Sequence, residues 1–558
     1  MNINPATLID GYKVDHRRQY PSGTEIIFSN LTARGTRRTD SNTVVFAGLQ
    51  YFLKEYLIKQ WNENFFQKPL EEVVHKFNRR INNYLGPNEV GDQHIRDLHK
   101  LGYLPLVILA LPEGTEYNLR VPSLVLWNTD PHFFWLTNYL ETILSTCIWG
   151  MCTSATTAHQ YKRLLCKYAN KTVGNTDFVQ WQGHDFSFRG MFGLEAACMS
   201  GAAHLFSFTG TDTIPAIDFL EEYYNADCEK ELIGGSVAAT EHSVACSTIL
   251  DFVRKVRIEN AYSSNPVVIE DEPMNLADIE YVKHLITVVY PKGIVSIVAD
   301  SFDYWNTITN TARILKDVIL ARDGKVVFRP DTGDPVKVVA GEAMRIDNPK
   351  DLALAKEEEY DYVEFANGKF FKINKEPDDI SYIGKWFTTE VPSTPVLKGS
   401  IECLWDIFGG IVTEQGYKVL DPHVGLIYGD SITLARAEAI CEGLMKKGFA
   451  STNIVFGIGS FTYQYVTRDT DQYAVKATWA RVNGNDIEIF KAPKGDNMKK
   501  SAKGLTAVFK DENGVLYLKD RATFDEVLNC EFVKVFEDGK LVKDWTLQEV
   551  RDNLAKCV

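Results

Sequence analysis

The sequence has few of the features that mark secreted or membrane-bound proteins. Its ten cysteines are scattered over 558 residues without a CxxC pair, which excludes a disulfide framework and a cysteine zinc site and is typical of reduced thiols in a core. The longest apolar run, 104–111, contains Pro105 and is far shorter than the roughly 18 residues that a membrane span needs. The first residues, Met-Asn-Ile-Asn-Pro, contain neither the basic nor the apolar region of a signal peptide. We therefore expect a cytoplasmic protein with no membrane contact.

The charge balance argues against nucleic acid as a partner. Acidic side chains number 74 and basic ones 60, which gives a net charge of −14, whereas a general nucleic-acid binder needs a basic surface. A polyanionic substrate would therefore have to be held by local clusters of Arg and Lys. No GxSxG, HExxH or Walker A pattern is present, which leaves esterase, zinc-peptidase and P-loop NTPase functions without support.

A strand–helix repeat organises the middle of the chain. Apolar runs typical of buried parallel strands occupy 294–299, 325–328, 424–429 and 453–458. Helical spacing follows the first and the third of these runs. Weaker copies predict further elements, namely strands at 185–188 and 203–208 and helices at 214–224 and 241–256. Repeated units of this kind predict an α/β fold with a parallel sheet, open or closed, and we favour a barrel.

The flanking segments follow a different pattern. Asn483-Gly484, Asn513-Gly514 and Asp538-Gly539 lie between alternating apolar runs, as in β-hairpins. We therefore predict that residues 1–180 and 471–558 together build a second, β-rich α+β domain beside a catalytic α/β barrel domain at 181–470. Residues 337–420 interrupt the repeat and carry a fourth hairpin signal at Asn367-Gly368. They are predicted to be an insertion that packs outside the barrel or on a partner.

Chemically useful side chains recur where the predicted strands end. A single Asp after a strand is usually a helix cap. Here seven strand ends carry polar residues, some acidic and some basic, and helix capping alone does not explain so many. The carboxyl ends of parallel strands form the rim where α/β folds bind ligands. The positions are Arg189, Asp212, His242, Asp300, Arg329 with Asp331, Asp430, and Gly459 with Ser460.

Two of these strand ends have the composition of a phosphate site. The segments 429–431 (GDS) and 457–460 (GIGS) follow successive strands, and Gly-rich turns at such places offer backbone N–H groups to phosphate. The segment 329–334 (RPDTGD) is compatible with phosphate, ribose or Mg²⁺, and equally with a turn held by a local ion pair. Phe186 and Phe188 are predicted to share one strand face, as ligand-stacking rings or as a core pair.

The motifs at these strand ends resemble the nicotinate/nicotinamide phosphoribosyltransferase family, in particular its nicotinamide-using members. The matching segments are 184–190 (HDFSFRG), 208–213 (FTGTDT), 235–243 (GSVAATEHS), 329–335 (RPDTGDP) and 428–430 (YGD), with 10–13 (DGYK) and 467–469 (TRD). The resemblance implies a homodimer with an incomplete α/β barrel of the type II phosphoribosyltransferase kind. It implies a pentosyl transfer of NAD salvage, in which nicotinamide and 5-phosphoribosyl 1-pyrophosphate give nicotinamide mononucleotide and pyrophosphate.

The resemblance also assigns roles to single residues. Phe186 stacks on the nicotinamide ring and the partner subunit's Tyr12 covers it, so that Asp10 and Tyr12 are contacts between chains. Ser296 and Arg329 orient the carboxamide, and Asp212 accepts from its NH₂ group. A carboxylate at this position would repel the carboxylate of nicotinate, which favours the amide. The residues assigned to ribose, phosphate and pyrophosphate are Arg34, Arg189, Gly429, Asp430, Gly459, Ser460, Arg468, Lys476 and Lys491.

The catalytic positions implied are His242, Asp300 and Asp331. His242 matches the family histidine that ATP phosphorylates, which makes ATP a co-substrate; a core histidine is the alternative. Mg²⁺ is expected mainly on the substrate pyrophosphate, with Asp331 as its protein contact or as a ribose ligand. Phe461 and Ala474 depart from the family pattern, which has a glycine-like residue and a hydroxyl at these places. The competing hypotheses are a nicotinate-using enzyme and a non-catalytic dimeric binding or signalling protein.

Overall fold

The computed structural model describes residues 3–39, 41–262, 272–375, 386–490 and 502–556. Their buried apolar side chains form two large clusters, one built from the N- and C-terminal parts of the chain and one from its middle. The long helix Glu141–Thr172 joins the two. Its first half packs in the terminal cluster and its second half in the central one.

The central cluster surrounds a parallel sheet, which in the described part of the chain has seven strands. In chain order these are β1 (Gly183–Asp185), β2 (Gly210–Thr211), β3 (Ala238–Ala239), β4 (Val295–Val298), β5 (Val326–Arg329), β6 (Val424–Tyr428) and β7 (Ile454–Ile458). Their order in the sheet is β2-β1-β7-β6-β5-β4-β3. Every neighbouring pair is parallel.

Hydrogen bonds join the two edges of this sheet. The amide of Thr211 donates to the carbonyl of Gly235 at 3.0 Å, and the amide of Gly235 donates to the carbonyl of Thr209 at 2.8 Å. The sheet therefore closes with one strand fewer than a complete eight-stranded barrel has. This confirms the predicted incomplete α/β barrel.

Helices between the strands cover the outside of the barrel. They are Leu194–Leu205, Pro215–Tyr224, His242–Ala261, Glu272–His284, the broken helix Tyr304–Asn306, Thr307–Thr311, Ala312–Ile314 and Lys316–Leu320, and Pro335–Ala340, Ser400–Phe408 and Leu434–Lys446. Apolar residues that recur at helical spacing, such as Ala437, Ile440 and Leu444, are buried against the strands. The side chain of Thr433 accepts from the amide of Arg436 and caps the start of the helix Leu434–Lys446.

The terminal parts of the chain share an antiparallel sheet, which also has seven strands among the described residues. Its order is Asn485–Glu488, Tyr473–Val482, Thr24–Ala33, Pro122–Asn128, Leu106–Ala110, Val533–Glu537 and Lys540–Leu541. The helices Leu70–Leu85, Gln93–Leu101 and Leu547–Ala555 add buried residues to its core. The second β-rich body is thus built from both termini, while the exact boundaries at 180 and 470 stay a prediction.

The hairpin predictions are confirmed. Asn483-Gly484 and Asp538-Gly539 connect antiparallel partners, and all four residues have positive φ, as a type I′ turn requires. Asn513-Gly514 connects Leu505–Lys510 to Leu516–Ala522.

The insertion is shorter than the predicted range 337–420. Its strands are Ala343–Ile346, Tyr362–Phe365, Phe370–Lys375 and Trp386–Val391, with the helix Pro349–Glu357 beside them and the predicted hairpin at Asn367-Gly368. At both ends, Pro335–Ala340 and Ser400–Phe408 bury side chains in the barrel core. The ammonium of Lys447, on the barrel, lies 3.2 Å from Glu402 and 3.9 Å from Glu364 of the extra sheet, which ties the sheet to the outside of the barrel.

Two predicted strands are wrong. Residues 203–205 are the last turn of the helix Leu194–Leu205, where His204 is held by the hydroxyl of Tyr463 and the carbonyl of Gly210, and residues 206–208 follow in a turn. The first strand ends at Asp185, whose carboxylate accepts from the amide of Ser187 and turns the chain. Phe186 and Phe188 therefore do not share a strand face.

Two absences can be stated for the residues that the structure describes. None of their helices is long and apolar enough to cross a membrane. Their nine cysteines are all free thiols.

Candidate active site

A cavity of about 800 Å³ opens at the carboxyl ends of the barrel strands. Its walls are Phe186, Phe188, Arg189, Thr211, Asp212, Ile214, Ser236, Arg329, Asp331, Gly429 and Asp430. A second cavity of about 360 Å³ continues from it into the barrel and shares Phe186, Asp212, Ser236 and Arg329 with it. Ser296 lines this inner part. Eight of the residues singled out from the sequence therefore surround one connected hollow.

Two glycines leave the space that the ring of Phe186 occupies. Its amide donates to the carbonyl of Ile458 at 3.0 Å. A Cβ at Gly429 would lie 2.7 Å from the ring, and one at Gly457 would lie 2.5 Å from the ring Cε2 and closer still to Cδ2. Only glycine at these ends of β6 and β7 leaves room for the ring, which makes Phe186 a fixed wall of the cavity.

Asp212 is held by two donors on one oxygen. His184 Nε2 lies 2.8 Å from Oδ1, and the hydroxyl of Ser236 donates to the same atom at 2.9 Å. Burial alone would raise the pKa of this carboxyl, but the hydrogen bonds from His184 and Ser236 and the charge of Arg329 together hold the pKa below its ordinary value. Asp212 therefore presents a negative charge to the cavity at neutral pH.

Arg329 and Ser296 present donors that the protein does not satisfy. Nε of Arg329 and Oγ of Ser296 are buried and have no hydrogen-bond partner among the described residues. The nearest carboxylate oxygen to that Nε, on Asp331, is 3.7 Å away. Buried donors are normally paired. Two unpaired donors in the wall of a cavity mark the place where a ligand supplies the acceptors.

Asp300 connects His242 to the Asp331 loop. Its Oδ1 lies 3.1 Å from Nε2 of His242, and its Oδ2 accepts from the amide of Asp331 at 2.8 Å. Asp300 is buried, whereas the side chain of His242, at the start of its helix, is half exposed. Burial raises the pKa of Asp331, and the charges of Asp300 and Asp430 add to the effect while Arg329 and His242 oppose it. A cation bound here would relieve this crowding of carboxylates.

The predicted metal role of Asp331 fits this crowding. Within the described ranges, no group of three His, Cys, Asp or Glu side chains is arranged to hold a metal ion by itself. A Mg²⁺ ion at this site would therefore need further oxygen ligands from a bound molecule, as hard oxygen-seeking cations commonly have.

Ser460 lies beside Gly190 at the mouth of the barrel. A Cβ on Gly190 would overlap the side chain of Ser460, whereas one on Gly459 would meet open space. Arg189 is exposed on the cavity wall. Phe461 is half exposed and stacks on Tyr465 with the ring planes 9° apart. No atom of Phe461 lies within 4 Å of a Cβ built on Gly459, so Phe461 does not cover that position.

The remaining predicted anion ligands lie on the β-rich body. Nε of Arg34 donates to the carbonyl of Gln472 at 3.4 Å, and Arg468 lies 3.3 Å from Asp469. Lys476 is exposed on the strand paired with Thr24–Ala33. None of these three lines the cavity in the described part of one chain. Lys491 lies outside the described residues.

Asp10 and Tyr12 also lie away from the cavity. Asp10 accepts from the hydroxyl of Thr142 at 2.8 Å, and Tyr12 is 63% exposed beside His16 and Lys13. Within one chain they do not line either cavity.

Sequence reasoning did not assign roles to Ser236, Gly457 and His184. All three lie in motifs of the sequence, Ser236 in 235–243, Gly457 in 457–460 and His184 in 184–190, so the motif signal existed. What was missing was the three-dimensional contact that gives each of them a role.

Family models and relatives match this chain over almost its entire length. Residues 181–528 match the nicotinate phosphoribosyltransferase family, and residues 4–108 match the nicotinamide phosphoribosyltransferase N-terminal domain. The chain belongs to the nicotinate phosphoribosyltransferase family. The resemblance read from the motifs is thereby confirmed, and the family match covers both the barrel and part of the β-rich body.

Individual relatives are similar to this chain over most of its length. A nicotinamide phosphoribosyltransferase of Acinetobacter baylyi is 45% identical over 99% of this chain and 97% of its own length. One of Mycoplasma pneumoniae is 30% identical over 89% of this chain and 93% of its own. The crystal structure of human nicotinic acid phosphoribosyltransferase aligns over 98% of this chain and 93% of its own at 12% identity, with a TM-score of 0.48.

Proposed function

We propose that this enzyme transfers the phosphoribosyl group of 5-phosphoribosyl 1-pyrophosphate to nicotinamide, a step of NAD salvage that forms nicotinamide mononucleotide and pyrophosphate. One observation carries the choice of base. Two donors without a partner among the described residues, on Ser296 and Arg329, and one acceptor oxygen of Asp212 without such a partner line the same hollow. A carboxamide offers the matching carbonyl oxygen and NH₂ group. The names of the relatives in Acinetobacter and Mycoplasma support the same substrate.

The choice of nicotinamide over nicotinate follows from charge. Nicotinate would place a second carboxylate against the ionised Asp212, and such a like-charge contact costs several kcal/mol. With nicotinamide, the same oxygen of Asp212 accepts a hydrogen bond from NH₂. The flat ring lies against Phe186, which its two glycine neighbours hold in place.

The transfer itself requires positioning more than acid–base catalysis. The pyridine nitrogen already carries a lone pair, so no general base is required, and holding the two reactants in line supplies much of the rate enhancement. The ribose C1–O bond breaks toward an oxocarbenium-like state, and Arg189 with the strand-end amides near Gly429 and Gly459 would bind the ribose phosphate and pyrophosphate. Mg²⁺, held by pyrophosphate with Asp331, would stabilise the departing negative charge.

A homodimer would complete the site. The cavity of one chain has an aromatic wall at Phe186, while Tyr12 is exposed on the other body of the molecule. Tyr12 would cover the base from the partner chain, with Asp10 beside it. Arg34, Arg468, Lys476 and Lys491 would meet the pyrophosphate and phosphate groups there. Each active site would then contain residues of two chains.

ATP would act through His242. Its imidazole is exposed enough to receive a phosphoryl group, and Asp300 lies 3.1 Å from Nε2 to orient the ring. The family resemblance supplies the role of ATP as a co-substrate whose hydrolysis drives product formation. A cytoplasmic location, where ATP is abundant, agrees with the nine free thiols of the described chain.

The test is a two-base assay. Purified protein is incubated with phosphoribosyl pyrophosphate, Mg²⁺ and either nicotinamide or nicotinate, with and without ATP, and both mononucleotides and pyrophosphate are measured. We expect nicotinamide mononucleotide, formed faster with ATP. Faster use of nicotinate would identify the acid-using enzyme, and tight binding of substrates without turnover would identify a non-catalytic binding protein.

A further inference from the structure

The carboxylate that faces the base is clamped by two side chains that have no assigned role. His184, on β1, and Ser236, just before β3, both bond to Oδ1 of Asp212, which follows β2. They approach from opposite sides of the seam where Gly210 and Gly235 join the two edges of the sheet. Three strand ends therefore meet at one carboxylate oxygen.

The two donors leave a single oxygen for a ligand. Both hydrogen bonds end on Oδ1, and no protein partner of Oδ2 is found in the described part of the chain. A carboxylate turns easily about its terminal bond, because that torsion is broad. Two donors on one oxygen remove this freedom and aim Oδ2 into the cavity.

The same donors keep Asp212 charged. Burial raises the pKa of the carboxyl, and the bonds from His184 and Ser236 are the two largest hydrogen-bond contributions that reverse this. Without them the carboxyl would turn away or bind a proton, and either change would weaken its repulsion of an anionic base.

The position of His184 is itself constrained. A Cβ on residue 210 would lie 2.7 Å from its Nδ1, so that Gly210 is what allows the ring to stand where it does. The side chain of His184 is nine-tenths buried and its ring centroid is 5.0 Å from that of Phe186. The histidine thus links the stacking ring to the selecting carboxylate.

We propose that His184 and Ser236 are positioning residues that determine the preference of the enzyme for the amide over the acid. The inference rests on the proposed function, since it names what makes that site selective. His184 and Ser236 act through Asp212 and do not themselves need to touch the base.

The experiment compares kcat/KM for nicotinamide and nicotinate in single variants. His184→Phe keeps a ring without a donor, His184→Gln restores an N–H near the position of Nε2, and Ser236→Ala removes one hydroxyl. His132→Phe is the matched control, because His132 pairs with Asp130 at 3.1 Å on the exposed surface of the β-rich body. Circular dichroism and thermal unfolding check each fold.

We expect the amide-to-acid ratio to fall about tenfold or more in His184→Phe, the scale on which hydrogen bonds to charged groups matter, and to fall less in Ser236→Ala. His184→Gln should recover most of the ratio, and His132→Phe should leave it unchanged. A purely structural role for His184 would reduce kcat/KM equally for both bases, and that result would overturn the proposal.

Two other outcomes are also decisive. If His184→Phe does not fold, Ser236→Ala decides alone, because Ser236 is exposed and its loss leaves no cavity; an unchanged ratio in that variant overturns the proposal. A wild-type protein that uses neither base would reject the proposed function. If the wild type is active and prefers the amide, but the variants lose kcat/KM equally for both bases, only the positioning role of His184 and Ser236 is rejected.

Discussion

Replacing Gly457 by Ala tests how the ring of Phe186, the proposed stacking partner of the base, is held in place. The added Cβ would lie 2.5 Å or less from the ring of Phe186 and 2.7 Å from the Cα of Gly429, whereas carbon atoms in contact prefer about 3.5 Å or more. The ring must therefore move by about 1 Å. Overpacking of this kind costs about 1–3 kcal/mol, and a displacement of about 1 Å in a positioned group reduces rates by as much as about 100-fold.

The assay is steady-state kinetics with nicotinamide varied at saturating phosphoribosyl pyrophosphate. We expect kcat/KM for nicotinamide to fall between about 10- and 100-fold, each factor of ten being about 1.4 kcal/mol, with a smaller effect on KM for phosphoribosyl pyrophosphate. Gly150→Ala is the control, since a Cβ there meets nothing within 4 Å. If Gly457→Ala folds and has the kinetics of the wild type, the position of Phe186 does not depend on the space left by these glycines.

Three further predictions concern phosphorylation, stability and pH. His242→Ala should abolish the stimulation by ATP while leaving ATP-independent transfer measurable; equal stimulation in variant and wild type would exclude His242 as the phosphorylated residue. Lys447→Met should lower the free energy of unfolding by about 3 kcal/mol or more, because Glu402, whose side chain is only 14% exposed, loses its cation. Lys446→Met, at the last residue of the helix Leu434–Lys446, should cost less than about 1 kcal/mol. Equal free energies of unfolding for the two variants in chemical denaturation would contradict this. Asp212→Asn should be less stable than wild type at neutral pH. A carboxyl whose pKa is lowered by folding stabilises the folded state at pH values above its unfolded pKa, and this contribution is lost as the pH falls through the folded pKa. The difference in melting temperature between wild type and Asp212→Asn should therefore shrink below about pH 4. A difference that stays constant with pH would rule out this origin.

The barrel was predictable where its strands are long and apolar. β4 to β7 are four or five residues long and mostly buried, and this burial is visible in the sequence as short apolar runs rich in Val and Ile. β1 to β3 have only two or three residues each. Such short strands carry no periodic signal, and the apolar run 203–208 that seemed to be one of them is the buried end of a helix.

The site was predictable as a set of residues but not as a network. Strand-end positions pointed to Asp212, Arg329 and Asp331 because parallel strands direct their carboxyl ends to one mouth. The packing of Phe186 against Gly457 and the hydrogen bond from Ser236 to Asp212 depend on distances between segments that are separated in the chain. Spacing along a sequence carries no information on such contacts.

The most direct test of the account is competition between the two bases at one active site. Equal concentrations of nicotinamide and nicotinate, with limiting phosphoribosyl pyrophosphate and Mg²⁺, compete for the same wild-type enzyme, and the two mononucleotides are separated by chromatography. A hollow with two unpaired donors and one ionised carboxylate oxygen predicts that nicotinamide mononucleotide is formed in large excess. Equal amounts, or an excess of nicotinate mononucleotide, would contradict it.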